Sequence, residues 1–111
     1  MALIVRLLGS GRTTAGGTTG LYTVSSPATA AIVNNLRFVD PSGTASSVNV
    51  FYKASGSSTQ IRILDRDKAI AANASIVVKS ELTLSLGDVL EATTAAEGPG
   101  LDFTVHGVEK L

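Results

Sequence analysis

His106 is the only histidine in the sequence and the first residue to consider for acid–base or metal chemistry. Its nearest carboxylates along the chain are Asp102 and Glu109. One imidazole needs further ligands to hold zinc, and the chain has no cysteine to supply them. Alternation along the last strand puts His106 on the same face as Asp102 and Thr104, which we expect to point outward. The sequence therefore predicts a structural or surface role for His106.

Two motifs, one charged and one glycine-rich, only weakly indicate a metal site or a phosphate site. Asp65-Arg66-Asp67 places two carboxylates around one guanidinium, but Arg66 would compete with a bound metal ion. We expect a solvated turn closed by local salt bridges. The stretch "GSGRTTAGG", residues 9–17, lacks the Gly-Lys-Ser/Thr ending and the following helix of a phosphate loop.

The remaining polar motifs also predict no reaction. Asn73–Ser75 matches a glycosylation acceptor, yet nothing in the sequence indicates secretion. Serines lie in turns, and a single histidine leaves no Ser-His-Asp triad to propose. We predict no catalytic residue, no metal ligand and no cofactor, and hence a protein that is not an enzyme.

The aromatic residues Tyr22, Phe51 and Tyr52 are candidates for stacking on sugars or bases. Only Lys53 lies beside them, whereas nucleic-acid binding needs interleaved basic residues. The formal net charge is zero, which excludes a broad electrostatic footprint for nucleic acid. We expect Tyr52 to lie in the core or in an interface.

Short strands must position these residues. Their predicted ranges are 21–24, 30–39, 48–53, 60–64, 76–78, 82–86, 90–92 and 101–106, with a last turn at 93–100. Turns rich in Gly, Ser, Pro and Asp separate them, and no window has helical periodicity long enough for a crossover helix. The pattern predicts an all-β fold, an antiparallel β-sandwich that is jelly-roll-like or Ig-like.

The clearest alternation lies in "SELTLSLGDVLEATT", residues 80–94. Leu82, Leu84 and Leu86 share one parity and are predicted to point inward. Gly87-Asp88 then interrupts the pattern. We expect a hairpin with a Gly-first type II′ turn, which returns residues 90–92 beside the leucine row.

The N-terminal stretch is predicted to be a strand or an extended arm. Residues 1–19 comprise an apolar segment and a Gly/Thr-rich linker, and residues 20–111 form the sandwich domain. The segment is too short for a transmembrane helix and lacks the regions of a signal peptide, so we expect no membrane association. We expect it to add a strand to a neighbouring subunit's sheet edge. The predicted interface residues are Leu3, Ile4, Val5, Leu7 and Leu8.

Residues 20–111 carry a series of phrases in a fixed strand order. These are Leu21–Val24 ("LYTV"), Pro27-Ala28, Ala31–Val39, Val48–Tyr52, Arg62–Leu64 ("RIL"), Leu82–Ala92 and Val105–Glu109 ("VHGVE"). In these phrases and their order the chain resembles the small β-sandwich virion structural proteins of tailed bacteriophages.

The resemblance implies a structural role in a bacteriophage particle. The expected function is capsid decoration or cement, with a tail, neck or baseplate position as the alternative. Expected partners are further copies of the chain in a homo-oligomer, with a trimer favoured, and the major capsid protein or other virion proteins. The expected location is the virion, after synthesis in the bacterial host cytoplasm. A different class, a host-surface or carbohydrate-binding module, stays open because similar sandwiches carry sugar sites in loops.

Overall fold

The structure, a computed structural model, describes residues 2–79, 81–95 and 100–111. The strands are β1 (Leu3–Arg12), β2 (Thr18–Thr23), β3 (Ala30–Val39), β4 (Ser46–Lys53), β5 (Ile61–Arg62), β6 (Lys68–Ile70), β7 (Ser75–Val78), β8 (Leu82–Ser85), β9 (Val89–Thr94) and β10 (Asp102–Lys110). Of the predicted last turn, residues 96–99 lie outside the described residues, and Thr93 and Thr94 belong to β9. No helix in the described part of the chain is long and apolar enough to cross a membrane.

The strands form two five-stranded antiparallel sheets. Sheet 1 has the order β1-β10-β3, and β7 and β8 both pair with the far side of β3. Sheet 2 has the order β2-β9-β4, and β5 and β6 both pair with the far side of β4. β5 and β6 can be counted as one edge strand of sheet 2, and β7 and β8 as one edge strand of sheet 1. Consecutive strands then alternate between the sheets, except that β4 and the β5/β6 edge are neighbours in sheet 2, and this order is that of a jelly roll. The predicted sandwich is confirmed, with the jelly-roll topology.

The core lies between the inner faces of the two sheets. Ala31, Val33, Leu36 and Phe38 of β3 are buried there, and alternation is interrupted by the bulge between Val33 and Leu36. Val105 of β10 lies beside Leu36 in the same sheet and is also buried. Sheet 2 contributes Val48, Val50 and Leu90 in the same way. Because the chain has few aromatics, aliphatic side chains fill most of this layer, as the composition predicts.

The N-terminal segment differs from the predicted arm. β1 pairs antiparallel with β10 along its whole length, from Leu3↔Lys110 to Arg12↔Asp102. Gly9 lies within this strand, and only glycine fits there because a Cβ would lie 2.5 Å from the Leu21 carbonyl oxygen. The glycine allows β1 to pass close to sheet 2, and does not mark a flexible linker.

The predicted hairpin at Gly87-Asp88 is also corrected. β8 pairs with β3 in sheet 1, whereas β9 pairs with β2 and β4 in sheet 2. The connecting turn runs from Ser85 to Asp88, and Gly87 at its third position has φ 89°, as in a type II turn. Leu86 lies in this turn and is exposed, so only Leu82 and Leu84 of the predicted row point inward.

Candidate interface

The outer face of sheet 1 carries an apolar stripe that crosses three strands. The register places Val5 of β1 beside Val108 of β10, and Val108 beside Ile32 of β3. Leu3 and Leu7 flank Val5 on the same face, because residues two apart on a strand point the same way. Leu3, Val5, Leu7 and Ile32 are 67%, 81%, 48% and 44% exposed. We call Leu3, Val5, Leu7, Ile32 and Val108 the apolar face.

A shallow groove of about 210 Å³ lies within this surface. Leu3, Ile32 and Val108 form its walls, and the small side chain of Ala30 leaves the hollow between them. Lys110 lines one end. The apolar face therefore carries both protruding side chains and a depression of side-chain size.

The apolar face does not extend over the whole outer side of sheet 1. Toward the other end of the strands most exposed positions are polar, apart from Val77 of β7, and Arg12 forms an ion pair with Asp102 at 2.7 Å. His106 is exposed at the boundary, directly beside Leu7 in the register. Its neighbouring carboxylates are engaged elsewhere, Asp102 with Arg12 and Glu109 with Arg6.

Polar contacts on the inner side of β1 hold the strand in place. Arg6 forms an ion pair with Glu109 through Nη2 and Oε1 at 2.7 Å, and the Tyr22 hydroxyl donates to Glu109 Oε2 at 2.5 Å. Burial, together with the hydrogen bond to Glu109, raises the pKa of Tyr22 well above its ordinary value. β1, β10 and β2 are thereby linked at this corner of the sandwich.

The outer face of sheet 2 is covered by its own side chains. Phe51 lies beneath the Arg62 guanidinium, whose carbon is 4.9 Å from the ring centroid. Glu91 accepts from Gln60 at 2.7 Å and pairs with Lys53 at 3.7 Å. This polar layer leaves Phe51 and Glu91 only 9% and 8% exposed. Only sheet 1 thus presents a continuous uncovered apolar stripe within the described residues.

The five predicted interface residues divide between the two sides of β1. Leu3, Val5 and Leu7 point outward and belong to the apolar face. Leu8 instead packs against the core, and Ile4 points inward opposite Glu109 and is partly buried. Ile32 and Val108 were not predicted. Strict alternation places Ile32 on the same face as Leu36 and Phe38, but the register shift between Val33 and Asn35 turns Ile32 to the outer face. What the sequence alone lacks is the register that aligns the three strands.

The other candidate motifs have structural contacts. Asp65, Arg66 and Asp67 are exposed, as predicted. The described ion pairs include none within this turn; instead Asp67 accepts from the Asn49 amide at 2.9 Å. Tyr52 packs against the core, as predicted, and its hydroxyl donates to Asp88 at 3.1 Å.

Comparison with known proteins gives likeness of fold alone. No known family model and no curated protein matches the chain. A structure of infectious bursal disease virus, Gt strain, is similar over 97% of this chain, with a TM-score of 0.50 and 10% identity. A structure of the Gx strain is similar over the same share, with a TM-score of 0.46 and 14% identity. The chain spans 30% of the length of each of these viral chains.

Proposed function

We propose that this chain is a non-enzymatic structural protein of a bacteriophage virion, and that it decorates the capsid and stabilises it through contacts between subunits. The observation that carries the proposal is the apolar face, since a large uncovered apolar patch marks a surface that another protein covers. Covering Leu3, Val5 and Leu7 contributes on the order of 1–2 kcal/mol for each side chain.

The fold supports this role without deciding it. Jelly rolls are common building blocks of virus capsids, but the same fold also serves lectins and enzymes. The similar viral chain, at 10% identity, supports the fold. The aromatic residues that a sugar site would need are engaged in internal contacts: Tyr22 with Glu109, Tyr52 with Asp88, and Phe51 with Arg62.

Imaging of the intact particle tests the location. We expect density for this chain on the outer surface of the capsid, with the apolar face against protein. Density on the tail, neck or baseplate would contradict decoration and retain a structural role. Absence of the chain from purified particles would contradict the proposal altogether.

A variant tests the face itself. The triple substitution L3T/V5T/L7T keeps residues that favour strands and removes the apolar side chains. We expect its occupancy in particles to fall at least roughly tenfold, because the lost burial energy exceeds 1.4 kcal/mol. Ile61→Thr is the matched control, since Ile61 is 53% exposed but lies on sheet 2. Equal occupancy of the triple variant and this control would contradict the role of the apolar face.

A further inference from the structure

The open edge of sheet 1 offers backbone groups for pairing. At the end of the β1–β10 ladder, Leu111 N–H donates to the Ala2 carbonyl at 2.8 Å, so Ala2 and Leu111 form a hydrogen-bonded pair. The Lys110 carbonyl instead points to the other side of β10, where it accepts from Thr29 N–H at 2.8 Å. Hydrogen-bonded and non-hydrogen-bonded pairs alternate in an antiparallel ladder. Ile4 and Arg6 therefore bond to β10. The N–H and C=O groups that face the open edge are those of Leu3, Val5 and Leu7.

Residues 3–7 of this edge have little of the usual protection against pairing. Natural edge strands carry charged side chains, including inward-pointing ones, prolines or bulges that discourage another strand from adding. Arg6 is the one charged residue of this stretch, and its charge is paired with Glu109 of the same chain. The bulge in the β1–β10 ladder begins only after Leu7. Residues 3–7 thus form a regular stretch whose outward side chains are Leu, Val and Leu.

We infer that β1 pairs antiparallel with β1 of a second copy, about a two-fold axis at Val5, and this inference rests on the proposed function as an assembly subunit. Val5 then lies opposite Val5 of the second copy, and Leu3 lies opposite Leu7 of the second copy. The two copies of sheet 1 join into one continuous sheet, and the apolar stripes of the two copies meet across the axis.

The edge is complementary to itself. The outward row Leu-Val-Leu reads the same in both chain directions, so antiparallel pairing matches apolar side chains throughout. On the inner side Ile4 lies opposite Arg6 of the second copy, and no like charges meet. A two-fold axis at Leu7 would instead place Gly9 opposite Val5 and would include the bulge. The axis at Val5 is therefore the register that the residues favour.

The symmetry of this contact predicts a dimer. An isologous contact uses the same surface on both subunits and closes at two copies. The dimer differs from the trimer that the resemblance implies. Zero net charge removes general repulsion between the two copies.

Sedimentation equilibrium of the purified full chain tests the inference. We expect a dimer that dissociates on dilution. Val5→Lys places two ammonium groups opposite each other at the axis, and we expect the dissociation constant to rise roughly tenfold or more. Val77→Lys is the matched control, because Val77 is 46% exposed on β7, at the opposite edge of the same sheet, and should remain dimeric. A monomer or a trimer of the unchanged chain, or a Val5→Lys protein that dimerises normally, would overturn the inference.

Crosslinking tests the register without a disruptive charge. The chain has no cysteine, so a single introduced thiol reports on its own position. Residues opposite each other in a hydrogen-bonded pair have Cα atoms about 5.5 Å apart, within the range that a disulfide bridges. Mild oxidation should convert most of a Val5→Cys protein into covalent dimer and leave Val77→Cys monomeric on denaturing gels. Equal crosslinking of the two variants would overturn the register.

The experiments distinguish a failure of β1 pairing from a failure of the proposed function. A monomer whose apolar face is still required for particle occupancy would overturn β1 pairing alone. A dimer with the predicted register that never enters particles would overturn the virion role alone.

Discussion

Asp88 connects three segments of the chain through the two oxygens of one carboxylate. Oδ2 accepts from Ser85 N–H at 2.9 Å and from the Tyr52 hydroxyl at 3.1 Å, and Oδ1 accepts from Ser55 N–H at 2.9 Å. The hydrogen bond from Ser85, followed by those from Ser55 and Tyr52, lowers the pKa of Asp88 despite its burial. The residue that the sequence assigns to a hairpin turn therefore fixes the crossing from sheet 1 to sheet 2.

Asp88→Asn should destabilise the fold by about 1–2 kcal/mol at pH 7, because an amide nitrogen cannot accept these hydrogen bonds. The folded-state pKa of Asp88 is lowered, so its contribution is present above the unfolded pKa of about 4 and disappears as the pH falls through the folded value. Urea denaturation at pH 7 and at successively lower pH checks this. Asp65→Asn, at an exposed carboxylate, is the control and should change stability by less than about 0.5 kcal/mol.

Gly107 lies where β10 passes closest to β3. A Cβ at this position would lie 2.0 Å from the Ile32 carbonyl oxygen. Gly107→Ala must shift one of the two strands, and we expect a loss of about 2 kcal/mol or more in the free energy of unfolding. Gly43→Ala is the control, since a Cβ there meets nothing within 4 Å. Equal melting temperatures for the two variants would contradict this account of the close approach.

The strand β1 is where sequence and structure differ most at the scale of elements. Alternation predicted the range of β3 and the inward residues of β4, because both patterns are local. Residues 9–20, rich in glycine and threonine, are typical of a linker, and only the fold shows that Gly9 sits against Leu21. Close approach between distant segments leaves no periodic signal in the sequence.

Removal of residues 1–12 should destabilise the domain by at least about 2 kcal/mol. The deletion removes Leu8 from the core and leaves β10 as an unpaired edge. Chemical denaturation of the truncated and full chains measures the difference. The triple variant L3T/V5T/L7T is the control, because it retains β1 and should lie within about 1 kcal/mol of the unchanged chain. A truncated protein as stable as the full chain would favour the independent arm.

The connection from β8 to β9 also differs from what the sequence pattern predicts. Two alternating segments joined by a tight turn are typical of a hairpin. Here the segments belong to different sheets, since Leu84 pairs beside Ala31 whereas Leu90 pairs beside Tyr22 and Tyr52. Whether a hairpin or a crossing between sheets forms depends on the strands with which each segment pairs, and those strands are distant in sequence. No residue within the turn specifies them.

The whole molecule has two unlike outer surfaces. The outer face of sheet 2 is covered by its own polar and cation–π contacts, whereas sheet 1 exposes the apolar face. The sandwich and most of its strands were predictable from period-two patterns and turn residues, whereas the place of β1 in sheet 1 and the short strand β6 were not. The apolar face was predictable only in part, because Leu3, Val5 and Leu7 are near in sequence but Ile32 and Val108 join them through pairing.

Association through the apolar face should strengthen in sulfate and respond little to sodium chloride. Sulfate is excluded from protein surfaces and favours burial of apolar area, whereas simple screening has little effect on a chain of zero net charge. Sedimentation velocity at equal ionic strength in the two salts checks the expectation. Strong weakening by sodium chloride would indicate an interface held by ion pairs instead.

The pairing of β1 with β10 has a consequence for biosynthesis. These two strands stand at opposite ends of the 111 residues, so β1 leaves the ribosome long before the strand that completes its sheet exists. During that interval both backbone edges of the nascent segment are open. Chaperone capture, or prompt encounter with fully made copies, would then limit aggregation of the nascent segment.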